Sequence, residues 1–271
     1  MKCFYKAIAD SQASDPTKIK AKDNLRRSEE YASDALIYLR KREELIHFPN
    51  NFLQAQPDIL IKREHTIEWL IRIQTQYKLS EDTLFMSVNI LDRYLSKKPT
   101  NNISLLAITA LNIAAKYEEI YPPHLKELAN GKHSIKEILA MEVDVLCVLD
   151  YELSFPNVSV FIERFREIMG LNVSNVALYI CEAQLLTPGM CNYLPSLQAL
   201  SAIYLSQKLT NKAFPINSLP LKEANHSEGE VIQCSRDMLS NMLAKEKILL
   251  SNVRRKYKDV AKIIFKKDLL S

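Results

Sequence analysis

The sequence is poor in glycine, with only 4 glycines in 271 residues, at positions 131, 170, 189 and 229. No two of them lie closer than 19 residues apart. Phosphate-binding loops, dinucleotide-binding turns and the turn that presents a nucleophilic serine all need clustered glycines, because only glycine lets the backbone turn sharply or approach a ligand closely. The composition therefore excludes these three kinds of site.

Paired cysteines and long apolar runs are also lacking. The longest apolar stretch, residues 105–115, is interrupted by Thr109 and Asn112 and is shorter than the ~20 residues that a bilayer span needs. The odd number of cysteines, without metal-ligand spacing, and the absence of an apolar leader predict a reducing intracellular compartment. We expect the protein in the nucleus and cytoplasm, with no metal and no cofactor. The cysteines are Cys3, Cys147, Cys181, Cys191 and Cys234.

Excess positive charge is confined to one end of the chain. The net charge is +4, but residues 254–271 hold seven basic and two acidic residues, which leaves 29 basic against 30 acidic residues elsewhere. This distribution argues against a nucleic-acid-binding surface on the body of the protein. Residues 1–27 are polar with scattered basic residues, one run resembling a weak nuclear-import signal, and predict a flexible arm.

What the sequence does contain is helical periodicity. Low glycine with abundant Leu, Ile, Ala, Glu and Lys favours an all-α fold. Leu84, Val88, Leu91 and Leu95 recur at spacings of 4, 3 and 4 and form one apolar stripe. Further helices are predicted at 28–42, 63–77, 103–120, 123–128 and 135–149, and then at 157–170, 173–187, 195–209, 217–224 and 228–247.

The order of helices repeats after the segment "LSFPN", residues 153–157. The segment "ALNIAAK", 110–116, also shares its pattern with "AIYLSQK", 202–208. These features predict two tandem five-helix bundles preceded by an N-terminal helix. The predicted divisions are an arm at 1–27, a first unit at 28–154, a second at 155–252 and a basic tail at 253–271.

The helix over 103–120 is apolar on every face, so it is expected to be surrounded by other helices, yet it ends in Lys116. One interpretation is structural, because a cation is favourable at the negative end of a helix dipole. Glu142 lies within the apolar segment "MEVDVLCVL", where a carboxylate needs a partner. Neither charge has an evident partner nearby in sequence, so both are expected to be uncompensated and to face another molecule.

Catalysis has little support in the sequence. The five histidines are scattered, and no serine or cysteine has the context of an activated nucleophile. Glu118 and Glu119 are adjacent, and neighbouring side chains on a helix diverge by ~100°, so they cannot flank one substrate bond. The chain is therefore predicted not to be an enzyme.

Several blocks together resemble an A/B-type cyclin, of a divergent kind. They are "RYLSKK" after "NILD", then "AAKYEEIYPP", "MEVDVLCVLDYELSFP", "NYLPSLQALSAIYLS" and "VRRKYK". The resemblance runs from Tyr31 to Tyr257 and implies two cyclin folds after an N-terminal helix. It also implies a regulatory subunit that binds and activates a cyclin-dependent serine/threonine kinase, acting in cell-cycle control and mitosis as a heterodimer.

The resemblance implies roles for individual residues. Arg63 and Asp92 match a buried ion pair between the first two helices of the cyclin box, and Leu105 matches a core position. Lys116 and Glu142 match the pair that grips the mobile C-helix of the kinase and the loop before it. The implied kinase-binding positions are Lys116, Tyr117, Glu119, Glu142, Leu146 and Leu153.

One surface departs from the family pattern. Animal A/B-type cyclins carry an apolar substrate-docking groove where this chain reads "KREHTIEW". Arg63 and Trp69 remain, and Arg72 stands where those relatives carry an acid. Polar residues replace three positions, namely Lys62, His65 and Thr66. Trp69, Arg72 and Ser104 mark the remnant of this groove, and docking of protein substrates is expected to be weak or altered.

Two other functions stay open at this point. A cyclin-fold adaptor of the transcription machinery would need basic residues over a domain face and usually a zinc ribbon, and the sequence lacks paired cysteines. A cyclin-like protein that binds no kinase would have no need of both Lys116 and Glu142. The predicted partner is thus a kinase, with protein substrates in a weakened groove and neither nucleic acid nor membrane.

Overall fold

The computed structural model describes residues 34–45, 57–169, 175–210, 225–244 and 251–264. Within these ranges the regular structure is helical and no strand occurs, as the sequence predicted. The predicted arm at 1–27 and the predicted helix at 217–224 lie outside the described residues. In the same ranges, no helix is both long and apolar enough to cross a membrane.

The described helices are α1 (34–45), α2 (Pro57–Tyr77), α3 (Glu81–Lys97), α4 (Ile103–Glu118), α5 (Leu125–Ala129), α6 (Ile135–Val148), α7 (Val158–Met169), α8 (Asn175–Leu185), α9 (Pro195–Leu209), α10 (Glu228–Ala244), α11 (Ser251–Lys256) and α12 (Lys258–Ile264). A 3₁₀ turn, Pro188–Asn192, precedes α9.

Several helix boundaries differ from the sequence-based prediction by a few residues, since α1 ends at 45 rather than 42, α4 ends at Glu118 rather than 120, and α8 spans Asn175–Leu185 rather than 173–187. Two other helices begin at a different residue from the predicted one, and each of these two starts lies at or near a proline. α2 begins at Pro57, six residues before the predicted start at 63, because proline is well tolerated in the first turn, where its missing N–H is not needed. α5 begins at Leu125, whereas the prediction began it at Pro123. Here His124 is the N-cap, with an extended backbone.

α4 is the centre of the first bundle. Twelve of its residues are buried, and α2, α3 and α6 all pack against it. Leu111 and Ala114 are fully buried, each in a different one of the two hydrophobic clusters that meet at this helix. Truncating a leucine at such a site typically costs about 2–5 kcal/mol of folding free energy, so this helix contributes much of the bundle's stability.

α9 occupies the corresponding place in the second bundle, surrounded by α7, α8 and α10. Its residues Leu200 and Ile203 are fully buried. The two sequence segments that share a pattern, 110–116 and 202–208, therefore lie on the central helices of the two bundles. This agrees with the predicted repeat.

A buried ion pair lies where the bundles meet. The Arg63 guanidinium on α2 donates two hydrogen bonds to Asp92 on α3, Nε to Oδ1 at 2.6 Å and Nη2 to Oδ2 at 2.7 Å. Its Nη1 donates to the carbonyl oxygen of Leu185 in α8 at 3.0 Å. Burial alone would lower the pKa of Arg63, but the adjacent Asp92 carboxylate outweighs it and raises the pKa. Arg63 thus joins both bundles.

α1 is held against the second bundle by a buried polar cluster of Arg40, Glu43, Ser196 and His226. The Ser196 amide and hydroxyl donate to the Glu43 carboxylate at 2.8 and 2.6 Å, and Arg40 Nη1 donates to Glu43 Oε1 at 2.7 Å. Burial and the Arg40 cation lower the pKa of His226 to about 4, so its imidazole is neutral at pH 7. The N-terminal helix is therefore a fixed part of the fold.

Candidate protein-docking surface

α6 is positioned by its first turn. Ser134 and Glu137 form a capping box, in which the Ser134 amide donates to Glu137 Oε2 at 2.7 Å and the Glu137 amide donates to Ser134 Oγ at 3.2 Å. Ile138 and Val145 then face inward and are fully buried. These two contacts fix which side of α6 faces outward.

The outward side of α6 carries an apolar row that the bundle does not cover. Ile135, Leu139 and Val143 recur every four residues and are 45%, 45% and 59% exposed. Contiguous apolar residues on a protein surface usually mark a site of interaction with another molecule. We call these three residues, with the Lys116–Glu142 pair beside them, the α6 face.

The charges of the α6 face are paired with each other. Lys116 Nζ on α4 lies 2.6 Å from Glu142 Oε1 on α6, and Asn112 Nδ2 donates to Glu142 Oε2 at 3.4 Å. The expectation that both charges are uncompensated is therefore wrong. The packing of α4 on α6 brings together two side chains that lie 26 positions apart in sequence.

The pair nevertheless faces outward. The Lys116 side chain is 50% exposed and that of Glu142 is 13% exposed. An ammonium has three N–H donors, so Lys116 retains donors for carbonyl groups of another chain. The α6 face therefore presents an apolar row with an accessible ion pair beside it.

The other implied kinase-binding residues differ in their surroundings. Tyr117 follows Lys116 and is 55% exposed. Leu146 and Leu153 are partly buried and pack against the first bundle's core. Glu119 makes its bonds within the chain, because its Oε1 accepts from the Ser80 amide at 2.7 Å and the Thr83 hydroxyl at 2.6 Å. Glu119 thus joins the end of α4 to the start of α3.

The sequence-based reasoning missed several exposed apolar residues that follow the ends of α4 and α6. Ile120 and Tyr121, which follow α4 directly, are 87% and 91% exposed. Tyr151, which follows α6, is 66% exposed. Three residues later, the Ser154 carbonyl oxygen accepts a hydrogen bond from Arg42 of α1 at 2.8 Å. Their signal was visible in the sequence, since apolar residues just outside a helix end have no helical face to bury them.

The three residues of the expected groove remnant lie on α2 and α4. Trp69 is partly buried, whereas Arg72 and Ser104 are exposed. Ser104 Oγ lies 3.3 Å from His133 Nε2, so its polar contact is to the loop before α6. In the part of the chain that the structure describes, no group of three His, Cys, Asp or Glu side chains is arranged to hold a metal ion.

Comparison with known proteins gives matches over both bundles. The family profile "Cyclin, N-terminal domain" matches residues 34–154, and "Cyclin, C-terminal domain" matches residues 156–266. The chain is 31% identical over 222 residues to G2/mitotic-specific cyclin S13-7 of Glycine max, covering 79% of this chain and 86% of that protein.

Other relatives are longer than this chain. It is 31% identical over 246 residues to Cyclin-A3-2 of Oryza sativa subsp. japonica, covering 84% of this chain and 64% of that protein. It is 28% identical over 237 residues to G2/mitotic-specific cyclin-B of Dictyostelium discoideum, covering 84% of this chain. The chain spans only 54% of the length of this last relative.

The fold also matches a solved structure, that of a viral cyclin from herpesvirus saimiri, with a TM-score of 0.65 and 18% sequence identity. The match covers 76% of this chain and 95% of the viral one. At this identity the match supports the two-bundle fold alone.

Proposed function

The chain belongs to the cyclin family, and we propose that it is a regulatory subunit that binds and activates a cyclin-dependent serine/threonine kinase. It would thereby drive cell-cycle progression from the nucleus and cytoplasm. Relatives named as G2/mitotic-specific cyclins support a mitotic role. The observation that carries the proposal is the α6 face, an exposed apolar row with an ion pair beside it.

The α6 face suits the docking of a helix from another protein. Ile135, Leu139 and Val143 offer an apolar row about two turns long, which matches part of the apolar stripe of an amphipathic helix. Burying such a row contributes roughly 25 cal/mol per Å² of apolar surface removed from water. Lys116 adds specificity, since its remaining N–H donors can bond only to acceptors that lie beside the apolar row.

Activation would follow from differential binding. A protein kinase is active when a glutamate on its mobile C-helix pairs with the lysine that orients the phosphates. A rigid surface that binds only this helix position shifts the kinase population toward the active form. In this mechanism the chain contributes no reacting group and is a non-catalytic activator.

The proposal is tested by reconstitution. The purified chain is mixed with purified, inactive cyclin-dependent kinases, and phosphorylation of histone is measured. The expected result is a large rise in phosphorylation with at least one kinase. The proposal is contradicted if the folded chain binds and activates none of them.

A matched pair of variants assigns the effect to the α6 face. Val143→Asp places a charge in the apolar row, so activation should fall by at least about tenfold while the thermal melt stays unchanged. Leu243→Asp makes the same type of change on α10, where the leucine is 37% exposed, and should leave activation intact. Equal loss in both variants would remove the α6 face as the binding site.

A further inference from the structure

A cavity opens to solvent at the place where the two bundles meet. It measures about 80 Å³, several times the ~10–15 Å³ that one water molecule needs. Its walls come from α3, from the segment that joins the bundles, and from the end of α8 through the start of α9. We call this space, lined by Phe85 and Val88 of the first bundle and by Asn157, Thr187 and Met190 of the second, the inter-bundle cavity.

Much of the inner surface of the cavity is apolar. Phe85 and Val88 line it from α3, Val158 and Met190 line it from the second bundle, and all four are buried. Binding sites for small molecules are typically apolar, with a few polar groups that fix the orientation of the ligand. A molecule that fits this cavity therefore has an apolar or aromatic body.

Asn157 supplies a polar group that the fold leaves without a partner. The residue is only 6% exposed, yet within the described part of the chain its side-chain amide forms no hydrogen bond. It stands directly before α7, where an asparagine often caps the helix, as Asn102 does for α4 by accepting from the Leu105 amide at 3.2 Å. The carbonyl oxygen and the two N–H donors of the Asn157 side chain are therefore available to a ligand.

Thr187 supplies a second polar group to the same cavity. It follows the end of α8, and its Oγ1 is buried without a hydrogen-bond partner among the residues that the structure describes. A buried polar atom without a partner destabilises the folded state, because the hydrogen bonds it made to water are not replaced. A ligand that bonds to Asn157 and Thr187 would replace them.

The charged groups in the cavity wall already neutralise each other. Arg63 and Asp92 form their two hydrogen bonds there, and Cys191 Sγ donates to Asp92 Oδ2 at 3.6 Å. Burial and the Asp92 carboxylate raise the pKa of the Cys191 thiol to about 12, so the thiol is uncharged at pH 7. The wall therefore carries no net charge, which favours a neutral ligand.

The wall from the second bundle is held in place by hydrogen bonds within the chain. Gln198 Nε2 on α9 donates to the carbonyl oxygens of Met190 and Tyr193 at 3.0 and 2.9 Å. Gln184 Nε2 on α8 donates to the carbonyl oxygen of Met238 on α10 at 3.1 Å. A site that is already ordered binds its ligand at a lower entropic cost.

We propose that the inter-bundle cavity binds a small, neutral, planar molecule with neighbouring N–H and C=O groups, namely a pyrimidine base or a similar cyclic amide. Its ring would lie against the apolar side chains of both bundles, and its polar edge would face Asn157 and Thr187. Asparagine suits such an edge, because its amide offers a donor and an acceptor side by side and pairs with planar bases through two hydrogen bonds. The inference does not depend on the proposed function.

The test uses the full chain without kinase, titrated by calorimetry with three planar molecules. Uracil carries neighbouring N–H and C=O groups, 1,3-dimethyluracil has the same ring without an N–H donor, and benzoate is a ring with a negative charge. Uracil should bind saturably, with a Kd on the order of 1 mM for so small a molecule, and should raise the melting temperature as its concentration increases. The other two should bind at least about tenfold more weakly.

Variants assign the binding to the cavity. Asn157→Ala removes the amide and should lower the uracil affinity by about tenfold. Asn101→Ala changes an exposed asparagine in the loop before α4 and should leave the affinity unchanged. Thr187→Val keeps the shape of the side chain and removes the unpartnered hydroxyl, so it should fold at least as stably and bind uracil about threefold more weakly. It keeps the test decisive if Asn157→Ala does not fold.

Four results would overturn the inference: no saturable binding of uracil, equally tight binding of 1,3-dimethyluracil or benzoate, equal effects of Asn157→Ala and Asn101→Ala, or a uracil affinity that neither Asn157→Ala nor Thr187→Val lowers. The first would leave water as the partner of Asn157. Because no kinase is present, these outcomes are independent of whether the chain activates one. Failed activation with intact uracil binding would instead contradict the proposed function alone.

Discussion

Lys116 Nζ on α4 lies 2.6 Å from Glu142 Oε1 on α6, so the two charged side chains of the α6 face hold each other in place. Lys116 is half exposed, which leaves the pair accessible from outside. An ion pair at such a site contributes about 0–1 kcal/mol to folding. The contribution to stability is therefore too small to account for the pair, whereas binding another protein would require a charge held in a fixed position.

Exchanging the two charges separates these roles. In Lys116→Glu combined with Glu142→Lys, the internal pair can re-form and the free energy of unfolding should change by less than about 1 kcal/mol. Kinase activation should be lost, because the charges now oppose the partner's groups, at a cost of about 2–5 kcal/mol in binding. The measurements are urea unfolding and histone phosphorylation.

The control for this exchange is the Arg164–Glu167 pair on α7, whose atoms lie 3.0 Å apart on the second bundle. Its exchange should affect neither unfolding nor activation. If the Lys116–Glu142 exchange lowered stability and activity together, the pair would be a structural element rather than a docking element.

The Arg63–Asp92 pair should matter for stability far more than any surface pair. Both side chains are almost fully buried, at 1% and 3% exposure. Asp92→Ala leaves the guanidinium buried without its carboxylate, and we expect a loss of about 3–5 kcal/mol in the free energy of unfolding. Urea denaturation measures this directly.

The double variant Arg63→Met with Asp92→Leu removes both charges and should be clearly less destabilised than Asp92→Ala. Because Arg63 also donates to Leu185 of the second bundle, the single variant should weaken both bundles in one transition. A larger loss in the double variant would show that the unpaired buried charge is not the cause of the destabilisation. Two separated unfolding transitions would show that Arg63 does not couple the two bundles.

Glu119 provides a test between a structural and a docking role. Its Oε1 accepts from the Ser80 amide and the Thr83 hydroxyl, so Glu119→Ala should cost about 1–2 kcal/mol in the free energy of unfolding. Glu118→Ala is the matched change at the next residue, whose carboxyl pKa is raised by burial and by the neighbouring acids Asp82 and Glu119.

Glu118→Ala is therefore expected to cost nothing. Both variants should retain activation, measured by histone phosphorylation at a temperature where the folded state dominates. Loss of activation at unchanged stability in Glu119→Ala would instead make Glu119 a contact to the kinase.

The buried cluster around His226 predicts a pH dependence. The pKa of His226 is about 4 in the folded chain, below its ordinary value of 6.5, because of burial and the Arg40 cation. The unfolded chain thus binds a proton at higher pH than the folded chain, so stability from this group is complete above pH 6.5 and is lost as the pH falls toward 4. The full loss is about 3 kcal/mol.

The control is the variant His226→Gln, which removes this titration and leaves Glu43 in place. Glu43 is present in both proteins, so its own effect on stability, which has the opposite pH dependence because burial raises its pKa, cancels in the comparison. Urea unfolding from pH 7 to pH 4 should show the wild type losing stability relative to the variant. Parallel curves over this range would refute the assignment.

Much of the fold follows from local sequence. The spacing of Leu84, Val88, Leu91 and Leu95 indicated one apolar side, and all four are buried in α3. The apolar composition of 105–115 indicated a central helix, and α4 is one. Helix formation and breaking depend on residues a few positions apart, which is why the helices could be predicted without a structure. Their exact ends were predicted less well, as at Pro57, Glu118 and Leu125.

Long-range partners could not be read in this way. Local sequence placed Lys116 at a helix end and Glu142 in an apolar segment, but their contact depends on how α4 crosses α6. The same holds for Arg63 with Leu185 and for Glu119 with Ser80, where the partners lie 122 and 39 residues apart. The order of the helices and the apolar side of each helix are thus determined by residues close together in the sequence. Which charges meet, and which side chains stay open to a partner, depend on the packing of whole helices, because packing alone sets distances between residues far apart in the chain.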